Sequence, residues 1–234
     1  MQNRLKLEDV QKRVRDSKVF LFDFDGTLVN LDKLNVDSFS IVFKEMFNLD
    51  FTREDFMKYI SGRASKNGIP LYLNVHGIEE YSTEEVNTMF YKHKNRLIEE
   101  RLTEEIYLLP GITKFLEYLE SQGKRNIVVT SSRKEHVENM LSHFGIYKYF
   151  EKVYDRFSVV RGKPSPDAFL QAIEYSKSTV EECIAFEDSF FGLQSAKGAG
   201  LFTVGVLNNG WNDDFVYQLS DFVIENYTQL ITPS

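Results

Sequence analysis

The chain has one cysteine, Cys183, so no intrachain disulfide can form, and its place between Glu182 and Ile184 reads as a small core residue entering a strand. It has no run of 18 apolar residues, so no membrane-spanning helix is expected. Its first residues, with Arg4, Lys6, Glu8 and Asp9, lack the uninterrupted apolar stretch of a signal peptide. Nor is there an excess of positive charge. Lys and Arg number 28 against 35 Asp and Glu, a net charge of −7, which argues against a nucleic-acid partner. A phosphate substrate stays open, because charge at the site decides that. The expectations are a reducing, cytoplasmic setting, no membrane or nucleic-acid partner, and a monomer or weak dimer. A hydrophobic content of 42% over 234 residues is enough for one large or two smaller cores, so disorder is not expected.

Residues 19–29 read Val-Phe-Leu-Phe-Asp-Phe-Asp-Gly-Thr-Leu-Val. Val19 to Phe22 are continuously apolar, as in a central parallel strand covered on both faces. Asp23 and Asp25 follow two apart, so alternation sends both to one face, roughly 6 to 7 Å apart if the strand continues. Gly26 predicts a turn instead. Two like charges at a buried strand end are costly unless a cation faces them, and the carboxyl ends of strands are where open α/β sheets bind ligands. The turn lets the Asp25 carbonyl point inward and offers a hard cation such as Mg²⁺ an oxygen-only site, with Asp23 as both ligand and nucleophile. Asp, Gly and Thr are also ordinary turn residues, so the motif alone leaves both readings open.

Residues 1–17 carry Val10 and Val14 at helical spacing. Residues 31–105 are rich in Glu, Lys and aromatics with helical spacing and no obvious strand. Val36, Phe39, Ile41, Val42, Phe43 and Met46 suit an amphipathic helix, and Ser82-Thr83-Glu84-Glu85 reads as the capped start of another. From Leu109-Pro110-Gly111 onward strands alternate with helices. The expected strands are 127–129, 150–154, 183–186, 202–206 and 222–224; the expected helices cover 112–121, 136–144 and 166–175, with a further one starting near Gly192. This alternation predicts an α/β fold with a doubly wound parallel sheet formed by residues 1–30 and 106–234, and a small all-helical domain over 31–105. A helical insert just after the first strand is placed to act as a lid that excludes water.

Three more strand ends carry suitable chemistry. Thr130, followed by Ser131, comes after Val128-Val129 and offers a hydroxyl and nearby amides to a phosphoryl oxygen. Lys163, in Arg161-Gly162-Lys163-Pro164-Ser165-Pro166-Asp167, is a single positive charge on a stiff loop, suited to neutralising both a carboxylate nucleophile and a phosphate. Glu187 and Asp188 form a second acidic pair, with Asp188 completing an oxygen shell for Mg²⁺ and Glu187 acting directly or through water.

These four segments, Asp23 to Leu28, Thr130, Lys163 within Gly-Lys-Pro-Ser-Pro-Asp, and Glu187-Asp188-Ser189, resemble in order and spacing the four motifs of the haloacid-dehalogenase-like hydrolase superfamily. The helical insert is similar to the small cap of phosphoglycolate phosphatases and β-phosphoglucomutase. The resemblance implies a Rossmann-like core and a Mg²⁺-dependent phosphoric monoester hydrolase acting on a small phosphorylated metabolite. It implies Asp23 as a nucleophile carrying an aspartyl-phosphate and Asp25 as general acid, then base. Mg²⁺ would be held by Asp23, the Asp25 carbonyl and Asp188, while Thr130 and Lys163 steady the transferring group. The presence of Asp25 separates phosphotransferases from dehalogenases. A β-phosphoglucomutase-like mutase is the alternative. The histidine that such a cap carries about ten residues after the second Asp is missing around Leu34, Asn35 and Val36, and its arginine is displaced or absent in Ser61-Gly62-Arg63-Ala64-Ser65-Lys66. Both departures favour hydrolysis. Arg63 and Lys66 are the expected cap contacts to an anionic substrate, and Trp211 in Asn208-Asn209-Gly210-Trp211 is read first as a core anchor.

Overall fold

The structure, a computed structural model, describes residues 5–61, 63, 65–101, 105–207 and 213–232. The chain opens with α1 (Leu7–Asp16), β1 (Val19–Phe22), β2 (Val29–Asn30), α2 (Asp32–Phe47) and α3 (Arg53–Asp55), the last running into a π-helical turn, Phe56–Ile60. Then come α4 (Ser65–Val75), α5 (Thr83–Arg101), β3 (Tyr107–Leu108), α6 (Ile112–Ser121), β4 (Arg125–Val129), α7 (Lys134–His143) and β5 (Lys152–Tyr154). The chain continues through α8 (Asp167–Ser176), β6 (Cys183–Glu187), α9 (Phe190–Gly198), β7 (Phe202–Val206), α10 (Asp213–Leu219) and β8 (Phe222–Ile224). Two compact units result, one of residues 1–29 and 108–234, the other of residues 30–107.

The first unit is built on a six-stranded sheet of order β5-β4-β1-β6-β7-β8, with every pairing parallel. The chain works outward from β1 through β4 to β5, then returns to β1's other side for β6, β7 and β8. β1 therefore lies between β4 and β6, and the carboxyl ends of the three are neighbours. Alternation along β1 explains why its run is wholly apolar. Val19 and Leu21 face a cluster with Ile127, Val129, Ala185 and residues of α8 and α9, including Phe169 and Ala196. Phe20 and Phe22 face the opposite way, against Phe115 of α6 and Phe186, with ring centroids 4.7 to 6.5 Å apart. Each such buried side chain contributes about 1.5–3 kcal/mol.

The predicted doubly wound sheet is present, with boundaries moved by caps. The strand expected from Phe150 starts at Lys152, because Phe150 closes a 3₁₀ turn, Tyr147–Tyr149. The helices expected from Pro166 and near Gly192 begin at Asp167 and Phe190, preceded by Pro166 and by Ser189, whose hydroxyl accepts from Gly192 N. Val10 and Val14 of α1 are fully buried, as their spacing predicts.

The second unit is helical, α2 to α5, and its core is aromatic. Phe43 lies 4.6 Å from Tyr72 and 4.9 Å from Phe51, and Phe39 stacks on Phe90 at 4.0 Å, all between ring centroids. Ser82 Oγ accepts from Glu85 N at the start of α5, the cap read from the sequence. The chain passes between units at residues 29–30 and 107–108, which pair as a two-stranded sheet, β2 with β3.

Candidate active site

Parallel register brings the acids together. Phe22 pairs with Phe186, and Asp23 N donates to Phe186 O at 3.0 Å, so the next residues along, Asp23 and Glu187, emerge side by side on the α8 and α9 face. Asp188 follows, and the carboxylate oxygens of Asp23, Glu187 and Asp188 lie within 4.8 Å of one another, all buried. Gly26 makes room for this. Its φ is +80°, and a Cβ there would overlap the Asp188 carboxylate, so a side chain is excluded on two grounds. Thr27 Oγ1 then donates to Asp188 Oδ1 at 2.9 Å, and Thr27 O accepts from the buried Tyr227 hydroxyl at 3.0 Å. Burial raises the Tyr227 phenol well above its ordinary value, so it stays a neutral donor.

Lys163 is the cation of the cluster. Its Nζ donates to Asp23 Oδ1 at 2.5 Å, to Glu187 Oε1, and to Val129 O at 2.9 Å, with only 3% of the side chain exposed. Burial alone would lower the lysine, but Asp23 and Glu187 hold its ammonium above its usual range. Burial pushes the Asp23 carboxyl up to about 8, Lys163 opposing the rise and Glu187 adding to it. One ammonium bonds two of the three carboxylates, Asp23 and Glu187, while Asp188 is met by Thr27, so the cluster carries more acid than base and favours a proton or a second cation. An all-oxygen, buried, negative donor set fits a hard divalent ion.

Glu187 is more committed than the sequence suggests. Oε1 receives Lys163, while Oε2 receives Asp188 N, Ser189 N and Ser189 Oγ at 3.0 to 3.2 Å. Gly192 of α9 sits so close that a Cβ there would overlap the Glu187 carboxylate. Glu187 thus anchors Lys163 at the positive end of a helix.

Asp25 stands apart from the three converging acids. Its Oδ2 accepts from Ser132 Oγ at 2.5 Å, and its carboxylate is not among the three that converge. Thr130 is buried at the end of β4, and its Oγ1 accepts from Ser132 N at 3.1 Å. Ser131 is half-buried between them. Arg63, in the helical unit, donates through Nη1 to the carbonyls of Lys58 and Tyr59 at 2.8 and 3.0 Å, and burial lowers its pKa. Gly62, Ala64, the Lys66 side chain and the Asn208-Asn209-Gly210-Trp211 loop lie outside the described residues. Sequence reasoning gave no individual role to Ser132, Ser189 or Thr27, though each stands inside a segment it singled out, and it missed Tyr227. The Ser131-Ser132 pair was a visible signal; for Tyr227, 200 positions from Thr27, there was none.

Residues 20–206 match the haloacid dehalogenase-like hydrolase family. A phosphorylated carbohydrates phosphatase of Thermotoga maritima is 28% identical over 193 residues, covering 82% of this chain and 86% of that protein. The β-phosphoglucomutase of Bacillus subtilis is 28% identical over 193 residues, covering 81% and 83%. In fold, the chain is similar to the crystal structure of CbbY from Rhodobacter sphaeroides in complex with phosphate, with a TM-score of 0.79 and 24% identity over 92% of this chain and 96% of that one. With its four strand-end segments gathered on one sheet and most of its length matched, the chain belongs to the haloacid dehalogenase-like hydrolase family.

Proposed function

We propose that the protein is a Mg²⁺-dependent phosphatase that hydrolyses a small phosphorylated metabolite through an aspartyl-phosphate on Asp23. The observation that carries this reading is the buried Asp23, Asp188 and Lys163 cluster, with Asp25 held separately by Ser132. Mg²⁺ would be held by Asp23, Asp188 and the Asp25 carbonyl, and when bound it supplies positive charge against the phosphoryl oxygens. Lys163 lines up the Asp23 carboxylate and offsets its repulsion from an incoming phosphate. Thr130, whose Oγ1 accepts from Ser132 N, keeps its O–H as a donor to a phosphoryl oxygen. Asp25 protonates the leaving oxygen and then deprotonates the attacking water. The helical unit serves as the cap, with Arg63 and Lys66 as its anion contacts. The net charge of −7 does not bar a phosphate ester, because charge at the site decides that, and no described helix is long and apolar enough to cross a membrane.

The runner-up is a phosphosugar mutase, favoured by the Bacillus subtilis relative and opposed by Asn35 and its neighbours, where such a cap carries histidine. Purified protein with Mg²⁺ should release inorganic phosphate from a panel of sugar, glycolate-type and nucleotide phosphates, and Asp23→Asn should abolish that release. Unchanged turnover in Asp23→Asn sinks the reading; an isomerised sugar phosphate without free phosphate, followed by phosphorus NMR, replaces it with the mutase.

A further inference from the structure

We propose that Ser132 is a positioning residue for Asp25, its hydroxyl aiming the carboxyl group that exchanges a proton with the leaving oxygen. The inference rests on the phosphatase reading of Asp25. Ser132 Oγ donates to Asp25 Oδ2 at 2.5 Å, joining the ends of β4 and β1 across 107 positions of sequence. The serine is pinned through its backbone on both sides. Its N–H donates to Thr130 Oγ1 at 3.1 Å and its carbonyl accepts from Arg156 N at 3.4 Å. Asp25 in turn sits on a tight turn in which Gly26 N donates to Val29 O at 2.8 Å.

The terminal torsion of an aspartate is soft, so a carboxyl group with no fixed partner swings about its own axis. A donor on a pinned backbone removes that freedom. Ser132 donates to Oδ2, so we assign the transferable proton of Asp25 to its other oxygen, Oδ1. In the first half-reaction an Asp23 oxygen bonds to phosphorus and the bond from phosphorus to the leaving oxygen breaks, its electron pair going to that oxygen. The proton on Asp25 Oδ1 passes to the same oxygen. The charge left on Asp25 strengthens the Ser132 hydrogen bond, because an ionised acceptor binds a hydroxyl more tightly than a neutral one. In the second half-reaction water returns a proton to Asp25 as its oxygen attacks phosphorus and the bond to Asp23 breaks, releasing inorganic phosphate.

Alignment of this kind matters most where the leaving oxygen needs a proton. The test is therefore kcat/KM across substituted phenyl phosphates from 4-nitrophenyl, whose phenolate leaves readily, to 4-methoxyphenyl, whose phenolate does not. Ser132→Ala should raise the ratio of 4-nitrophenyl to 4-methoxyphenyl kcat/KM by about tenfold, in the direction of Asp25→Asn, which should raise it further. Ser132→Thr keeps the hydroxyl and should return the ratio towards that of the unaltered enzyme. A ratio does not depend on how much of a variant is folded. An unchanged ratio in Ser132→Ala beside a raised one in Asp25→Asn overturns the role of Ser132 alone. An unchanged ratio in Asp25→Asn overturns the acid role of Asp25 and the inference with it.

Discussion

Lys163 Nζ stands 2.5 Å from Asp23 Oδ1 while bonding Glu187 Oε1, so one ammonium joins the ends of two adjacent strands in a site closed to solvent. Its strength lies in mutual dependence, since each charge is tolerable there only because the others are present.

Lys163→Ala should therefore remove both activity and stability. Two buried carboxylates are left without their cation, at a cost of about 3–5 kcal/mol. Urea unfolding followed by circular dichroism reads the loss, and phosphate release reads the activity. Lys163→Arg should not restore turnover, because a planar guanidinium is a poor substitute for a point charge packed between two carboxylates and a carbonyl. An alanine variant with unaltered urea midpoint would contradict the buried triad.

Metal binding should depend on pH. With its carboxyl raised to about 8 by burial, Asp23 holds a proton over the neutral range, and a cation taking that carboxylate must displace it. Raising the pH removes the competing proton, so Mg²⁺ affinity should increase up to about 8 and level off beyond it. Calorimetry in buffers of different ionisation enthalpy should find proton release on binding below that point. Affinity that does not change between about pH 6 and the Asp23 midpoint rules this out.

Gly26→Ala should separate metal binding from folding. The added methyl meets the Asp188 carboxylate and the backbone stays at φ +80°, at a strain of about 1–2 kcal/mol. Mg²⁺ affinity should fall by about tenfold or more as Asp188 is pushed aside. The melting temperature should drop by only about 2–4 °C per kcal/mol in a chain of this size. Wild-type affinity in calorimetry would show that Asp188 is not placed by the glycine.

Tyr227→Phe removes the hydroxyl that donates to Thr27 O and leaves a buried carbonyl without that donor. The expected cost is about 1–3 kcal/mol in urea unfolding. Metal affinity should fall less than in Gly26→Ala, because Thr27 still donates to Asp188.

Phe43→Ala should act on the helical unit. The ring lies within 4.9 Å of Phe51 and 4.6 Å of Tyr72, and truncation of such a residue costs about 3–5 kcal/mol. Hydrogen exchange should rise in α2 and α5 while β1, β4 and β6 stay protected. Equal loss of protection in both would mean that the two units unfold as one.

Much of the site was legible because the chemistry is placed by local rules. An apolar run ending in acid announces a central strand and its carboxyl end, and Asp23, Thr130, Lys163 and Asp188 each follow such a run or its connecting loop. Where the reading fell short, the partner lay on another strand. Ser131 and Ser132 are equivalent as letters, and only the turn after β4 decides that Ser132 meets Asp25. Glu187 was read as a metal ligand, direct or through water; its carboxylate does stand with those of Asp23 and Asp188, and what the sequence did not show is that its oxygens also receive Lys163, Asp188 N and Ser189.

By itself the sequence determined the alternation of strands and helices, the residues at each strand end and the helical run of 31–105, because hydrophobic period and turn chemistry act over a few residues. Only the tertiary structure decided that register sets Asp23 beside Glu187, that Gly26 and Gly192 clear space for two carboxylates, and that Tyr227 reaches Thr27. Such pairings depend on which strand ends the sheet order makes neighbours, and no local pattern carries that order.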